Sequence, residues 1–107
     1  MFTAKSAEGF CEPAAKVKRK TLVHGDKTLM VEIRLEPGAE LPIHSHIHEQ
    51  TGYLVSGKIE LMIGDRTLTA QPGDSWCIKG DQEHGLRCLE ESVVIAVSYT
   101  HLTLPTN

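Results

Sequence analysis

The stretch Gly38-Ala-Glu-Leu-Pro-Ile-His44-Ser-His46-Ile-His48-Glu49-Gln50-Thr-Gly-Tyr-Leu-Val-Ser-Gly57 decides how this chain folds and what it can hold. On extended backbone, residues two apart share a face, so His44 and His46 send two imidazoles the same way and can grip one metal ion between them. Gln50 has the same parity and can follow them. A third imidazole, His84, stands 34 residues beyond Gln50 in Asp81-Gln-Glu-His84-Gly, where a neighbouring strand could deliver it. Taken alone, two histidines at this spacing are more often exposed or satisfied by backbone partners than bound to metal.

Outward from this stretch the chain is a succession of short apolar runs between turn residues, and no segment keeps a 3.6-residue apolar period for three turns. Leu29-Met-Val-Glu-Ile-Arg-Leu35 puts Leu29, Val31, Ile33 and Leu35 on one face and Met30, Glu32 and Arg34 on the other, as a half-buried strand does. Thr21-Leu-Val-His24 precedes it through the hairpin turn Gly25-Asp26-Lys27. Residues 53–56, 58–63, 66–70, 75–78, 85–89 and 92–96 supply six more strands, with Gly64-Asp65 as a two-residue hairpin between two of them. The expectation is an all-β single domain, a barrel over residues 21–96 closed enough to leave no long sheet edge exposed. Residues 1–20 are weakly patterned, with Glu12-Pro13-Ala14-Ala15 read as a helical turn, and are expected to form an N-terminal arm or edge strand.

A chain of 107 residues holds one small domain and hardly two. With 11 Lys+Arg against 14 Asp+Glu and a net charge of -3, it lacks the basic excess that a phosphate backbone demands, and Lys16, Lys18, Arg19 and Lys20 are too short a cluster to change that. Nucleic acid is excluded as a partner on this ground. No apolar run approaches the roughly 20 residues of a membrane span, and Lys5, Ser6 and Glu8 stand where a signal peptide would be apolar. The expectation is a cytoplasmic protein with no membrane partner. Cys11, Cys77 and Cys88 are odd in number and lack C-x-x-C spacing, so they are read as reduced side chains that pack as small hydrophobes.

Gly38, His44, His46, Gln50 and Gly57 fill every fixed position of the first cupin motif, G-x5-H-x-H-x3-(E or Q)-x6-G, which this stretch closely resembles. The second cupin motif, G-x5-P-x-G-x2-H-x3-N, is met at Gly73 and His84, while Lys79, Asp81 and Cys88 stand for its Pro, Gly and Asn and Gly80 lies one position early. The resemblance covers about residues 29–96. It implies a cupin fold, a double-stranded β-helix or jelly-roll barrel, with His44, His46, Gln50 and His84 as metal ligands. His48 is expected at the mouth of that site and Glu49 facing out. Trp76 is read as core, with a place in the ligand pocket as the alternative, and Cys88 is expected to point inward.

Gln50 carries its own chemical argument. Three neutral imidazoles and a neutral amide leave a divalent ion its full +2 charge, which suits polarisation of substrate oxygens better than redox cycling. The cofactor expected is a divalent metal ion; Ni, Zn, Mn and Fe all fit the donor set.

Together with Pro72-Gly-Asp-Ser-Trp76, the histidine stretch is similar to small single-domain cupins of the pectin-degradation group, some of which open the ring of an unsaturated uronate. The resemblance implies a metal-binding cupin derived from a sugar-acid ring-opening or isomerising enzyme, with a small anionic substrate. Phe2 and Phe10 in an otherwise polar arm add a homodimer to these expectations. Two other functions fit the residues: a cupin module that binds metal and a small acid without turnover, and a metal-dependent dioxygenase, which Gln50 weakens.

The C-terminal run Val97-Ser-Tyr-Thr-His-Leu-Thr-Leu-Pro-Thr-Asn107 is identified as an in-frame translation of a transposase adapter used in preparing sequencing libraries. It implies a metagenomic reading frame in which residues 97–107 are a non-native tail, Ala96 is suspect and His101 is no ligand. In the uronate-opening relatives an Asp and an aromatic residue on the last strand complete the site, at positions matching Ala96 and Ser98. A chain that keeps the metal site and has lost its acid–base group is therefore expected.

Overall fold

The computed structural model describes residues 1–99 and builds them into one antiparallel sheet of eight strands. In chain order these are β1 (Cys11–Ala14), β2 (Val17–His24), β3 (Thr28–Leu35), β4 (Glu40–His44), β5 (Gln50–Ile63), β6 (Arg66–Ala70), β7 (Ser75–Ile78) and β8 (His84–Tyr99). The long strands β5 and β8 run side by side and belong to two faces at once. Near the start of β5 and the end of β8 they are flanked by β7 and β3, with β2 and β1 beyond; near the other ends they are flanked by β6 and β4. The sheet thus folds over itself as a barrel, and the all-β expectation holds.

Inward-facing residues from both faces meet in the core. Val17, Leu35, Leu54, Ile59, Cys88 and Val94 are each at most 2% exposed. Truncating Leu54 to Ala would cost about 2–5 kcal/mol, since packed surroundings collapse only partly into the space left. Cys88 points inward as its parity requires.

Where the sequence reading broke a strand, the structure bends it. Residues 53–56 and 58–63 are parts of β5, and 85–89 and 92–96 are parts of β8. Gly57, which reads as a break, has φ +94 inside β5, and a Cβ there would overlap Ser92 Oγ and the Glu91 carbonyl. Between Ser56↔Val93 and Lys58↔Glu90, β8 sets two residues, Glu91 and Ser92, against the single Gly57 of β5, a bulge that bends the pair from one face to the other. The Ser92 hydroxyl fills it, accepting from Lys58 N–H at 2.9 Å.

The helical turn read at Glu12-Pro13-Ala14-Ala15 is corrected: residues 11–14 are the strand β1, paired with β2 through Cys11↔Arg19 and Ala14↔Val17. Pro13 lacks an N–H and so suits an edge strand. The sheet includes residues on either side of 21–96. Val17, at 2% exposed, sits in the core, and β8 continues through Val97, Ser98 and Tyr99, paired with β3 and, at Val97 and Ser98, with β5. Residues 100–107, the rest of the expected non-native tail, lie outside the described residues. Before β1 the chain lies over the outer face of β2 and β3. Lys20 Nζ donates to the Ser6 carbonyl at 2.7 Å, and Lys20 and Arg34 stand 5.5 and 4.9 Å from the Phe10 ring centroid. Phe10 is thus engaged within its own chain. Phe2 is 89% exposed.

Candidate metal centre

His44 ends β4, His84 begins β8, and the two are register partners across that pairing. The i, i+2 pair His44 and His46 is not carried on one strand as the spacing suggested, because β4 stops at His44. His46 follows in the turn toward β5, yet it still faces the same point. One ring nitrogen from each of His44, His46 and His84 lies within 4.8 Å of the others, the spacing at which three imidazoles could share one ion. The ring centroids of His44 and His46 are 4.3 and 4.8 Å from that of His84.

Each ring is aimed by its own backbone. His44 Nδ1 lies 2.8 Å from the Pro42 carbonyl, His46 Nδ1 2.9 Å from the His48 carbonyl and His84 Nδ1 2.8 Å from the Gln82 carbonyl. A carbonyl oxygen only accepts, so all three Nδ1 atoms carry the proton and all three Nε2 atoms keep a lone pair for a ligand. Burial pushes the His84 pKa below its ordinary value, and repulsion from His44 and His46 adds to this against the pull of the Gln82 carbonyl. The neutral, ligating form is therefore favoured. His44 is exposed, His46 half-buried and His84 only 6% exposed, and all three line one open cavity.

That cavity measures about 580 Å³ and is mostly apolar in its lining, within the range of small-ligand sites. Gln50, the first residue of β5, lines it together with His48, Trp76, Ala96 and Ser98. His48 is half-buried and lines the cavity with its ring 6.2 Å from that of His46, and Glu49 is exposed. Trp76 meets both readings: it packs against the core cluster and lines the cavity, its ring lying so close over Gly52 that a Cβ there would overlap it. Pro13 and Arg19 on β1 and β2 also border the cavity, and sequence reasoning missed both because it set residues 1–20 apart from the barrel.

The departures from the second motif are absorbed locally. Asp81 has φ +65, a left-handed conformation that Asp tolerates better than most residues. Its N–H donates to the His46 carbonyl at 2.7 Å. Gly80 is needed for a different reason: a Cβ there would stand 2.6 Å from the Ile47 carbonyl oxygen.

Among known proteins, the pectin degradation protein KdgF of Dickeya dadantii (strain 3937) is 29% identical over 85 residues, covering 78% of this chain and 77% of that protein. The structure of KdgF from Halomonas sp. matches with a TM-score of 0.88 at 26% identity, over 92% of this chain and 94% of that one. An RmlC-like cupin from Shewanella frigidimarina NCIMB 400 shares the fold, with a TM-score of 0.88 at 22% identity over 95% and 92% of the two chains. Among the described residues no helix is long and apolar enough to cross a membrane. Residues 31–99, which contain His44, His46 and His84, match the cupin domain, and the chain belongs to the cupin family.

Proposed function

We propose that this chain is a metal-dependent cupin whose cavity receives an unsaturated uronate or a closely related sugar acid and promotes its ring opening or isomerisation. The observation that carries the proposal is the shared aim of three imidazoles whose Nδ1 protons are all held by backbone carbonyls. The likeness to two KdgF proteins, one of them named a pectin degradation protein, supports a sugar acid as the substrate class. In this reading His44, His46 and His84 offer Nε2 and Gln50 its side-chain carbonyl oxygen to the ion. A divalent ion there, Ni, Zn, Mn or Fe, would polarise bound oxygens as a Lewis acid.

The chain's own groups do the rest. Backbone carbonyls fix the three rings before any ligand arrives, so little ordering is left to pay for at binding. Leu29, Val31, Ile78 and Trp76 keep the cavity walls apolar, which strengthens polar contacts inside. Ala96, 3% exposed on the cavity wall, has no atom that can hold or move a proton. This favours a second reading, in which the chain binds metal and a small acid without turning it over. Incubating the zinc- or nickel-loaded chain with an unsaturated uronate and following the unsaturated chromophore decides between them: its loss supports turnover, and saturable binding with a stable chromophore supports the binding module. Metal-stripped protein that takes up no divalent ion sinks both.

A further inference from the structure

We infer that Arg19 is the anion anchor of the histidine cavity: its guanidinium takes the carboxylate of a small acid whose hydroxyl or ring oxygens face the imidazoles. The inference rests on the metal-cupin reading above and adds the group that selects acids over neutral sugars.

Strand parity places this side chain. Arg19 pairs with Ile33, Val17 with Leu35 and Thr21 with Val31, so Arg19 shares the inward face of β2 and β3. Lys18 and Lys20 have the opposite parity, and Lys20 is engaged under the N-terminal arm. Among the described residues lining the cavity, Arg19 is the only Lys, Arg, Asp or Glu. Every other polar lining group is formally neutral, so a carboxylate entering the cavity meets one fixed cation besides the ion.

That cation is not already spent. Arg34 pairs with Glu32 and Arg87 with Glu60, each at 2.7 Å, whereas the Arg19 guanidinium makes no hydrogen bond or ion pair among the described residues. The acidic residues on the adjoining strands and turn, Glu12, Glu32 and Glu36, line the cleft under the arm instead. Arg19 is exposed, so it stays hydrated while the cavity is empty and carries no cost of a buried unpaired charge. Its planar fork suits a carboxylate bidentately, as no other side chain of this cavity does. A sugar acid has more oxygens than one ion can take, so its carboxylate and its hydroxyl or ring oxygens can be held by different groups lining the same cavity.

The test compares D-galacturonate with D-galactose, which differ in the carboxylate, by calorimetric titration of the zinc-loaded full chain at low salt. Unaltered protein is expected to prefer the acid about tenfold, the worth of one charge-assisted bidentate contact. Arg19→Gln should bring the two ligands within about twofold of each other, and Arg19→Lys should keep part of the preference. Lys18→Gln, the same charge change on the opposite face, should keep all of it, and zinc affinity should be unchanged in each. Retention of the full preference in Arg19→Gln, equal loss in Lys18→Gln, or no preference in the unaltered chain overturns the inference. Uronate turnover, measured separately, keeps the two claims apart. An acid preference lost with Arg19 but no turnover in any form upholds the anchor against the ring-opening reading; turnover with an unchanged KM in Arg19→Gln does the reverse.

Discussion

Asp81 donates its backbone N–H to the carbonyl of His46 at 2.7 Å, so the turn that delivers His84 is tied directly to the segment that presents the other two imidazoles. The tie is made with Asp81 at φ +65, where a side chain costs energy that glycine avoids. Asp81→Gly should therefore leave metal affinity intact and raise stability by up to about 1 kcal/mol, offset in part by the freer unfolded chain. Asp81→Val should destabilise, since a β-branched residue disfavours this conformation. Urea unfolding of the three forms checks the order.

Acid should loosen the metal-free protein through His84. Its folded pKa lies below the ordinary 6.5, so the unfolded chain takes up the proton first as pH falls. The stability this histidine contributes is present above 6.5 and is lost as pH drops through 6.5 toward the folded value. Urea midpoints of metal-stripped protein should fall over that window, and zinc should raise them at its upper end and progressively less toward acid, because protons compete for the same nitrogen. A midpoint that rises on mild acidification would contradict the direction.

Charge at position 50 should set metal affinity. Gln50→Glu adds an anionic donor and should tighten divalent-metal binding, whereas Gln50→Ala removes a donor and should weaken it. Competition of each metal-stripped form against a chromophoric chelator reads the order. Equal affinities in all three would place Gln50 outside the coordination sphere.

Trp76 offers an optical probe, because it is the one tryptophan of the chain and its ring lines the cavity. Nickel or cupric ion bound at the histidines should quench its emission, while zinc should not. Gly52→Ala would push a methyl into the ring's place, so the ring must move; a red-shifted emission and weaker ligand binding are expected, with metal affinity kept. Unchanged emission in Gly52→Ala would mean that the ring can shift without leaving its surroundings.

Much of this architecture was legible in the residues, for identifiable reasons. Strands β6 and β7 fall where the apolar runs 66–70 and 75–78 put them, because glycine-containing turns bound both runs. The convergence of His84 on His44 and His46 followed from motif spacing, although the face-sharing argument placed His46 on a strand that in fact ends at His44. What the sequence hid was continuity. Gly57 and the gap between 85–89 and 92–96 read as breaks, yet they lie at the bend and the bulge by which β5 and β8 pass between the two faces. Arg19 was invisible as a cavity residue because it sits in a basic run, where one inward cation among outward ones leaves no mark in composition. Strand pairing was needed to separate Arg19 from Lys18.

Ala96 sets the sharpest test of catalysis. It is 3% exposed, pairs with Val31 on one side and Gly52 on the other, and lines the cavity that holds the histidines. An aspartate there would put a carboxylate against apolar walls, and in the metal-free protein Ala96→Asp should cost about 1–3 kcal/mol and titrate above the usual carboxylate range. A bound divalent ion would offset part of this, so zinc should stabilise Ala96→Asp more than the unaltered chain. If an acid–base group is what the cavity lacks, Ala96→Asp should also gain turnover of an unsaturated uronate, of the order of the 10²–10⁴-fold that positioned proton transfer supplies. Ser98, on the same wall, supplies a hydroxyl but no aromatic surface, so Ser98→Phe combined with Ala96→Asp should exceed Ala96→Asp alone. Loss of the unsaturated chromophore, followed with metal supplied to all forms, gives the readout. Full activity in the unaltered chain would show that no essential group is missing at Ala96, and inactivity of both variants with metal bound would leave a cavity that holds its acid without converting it.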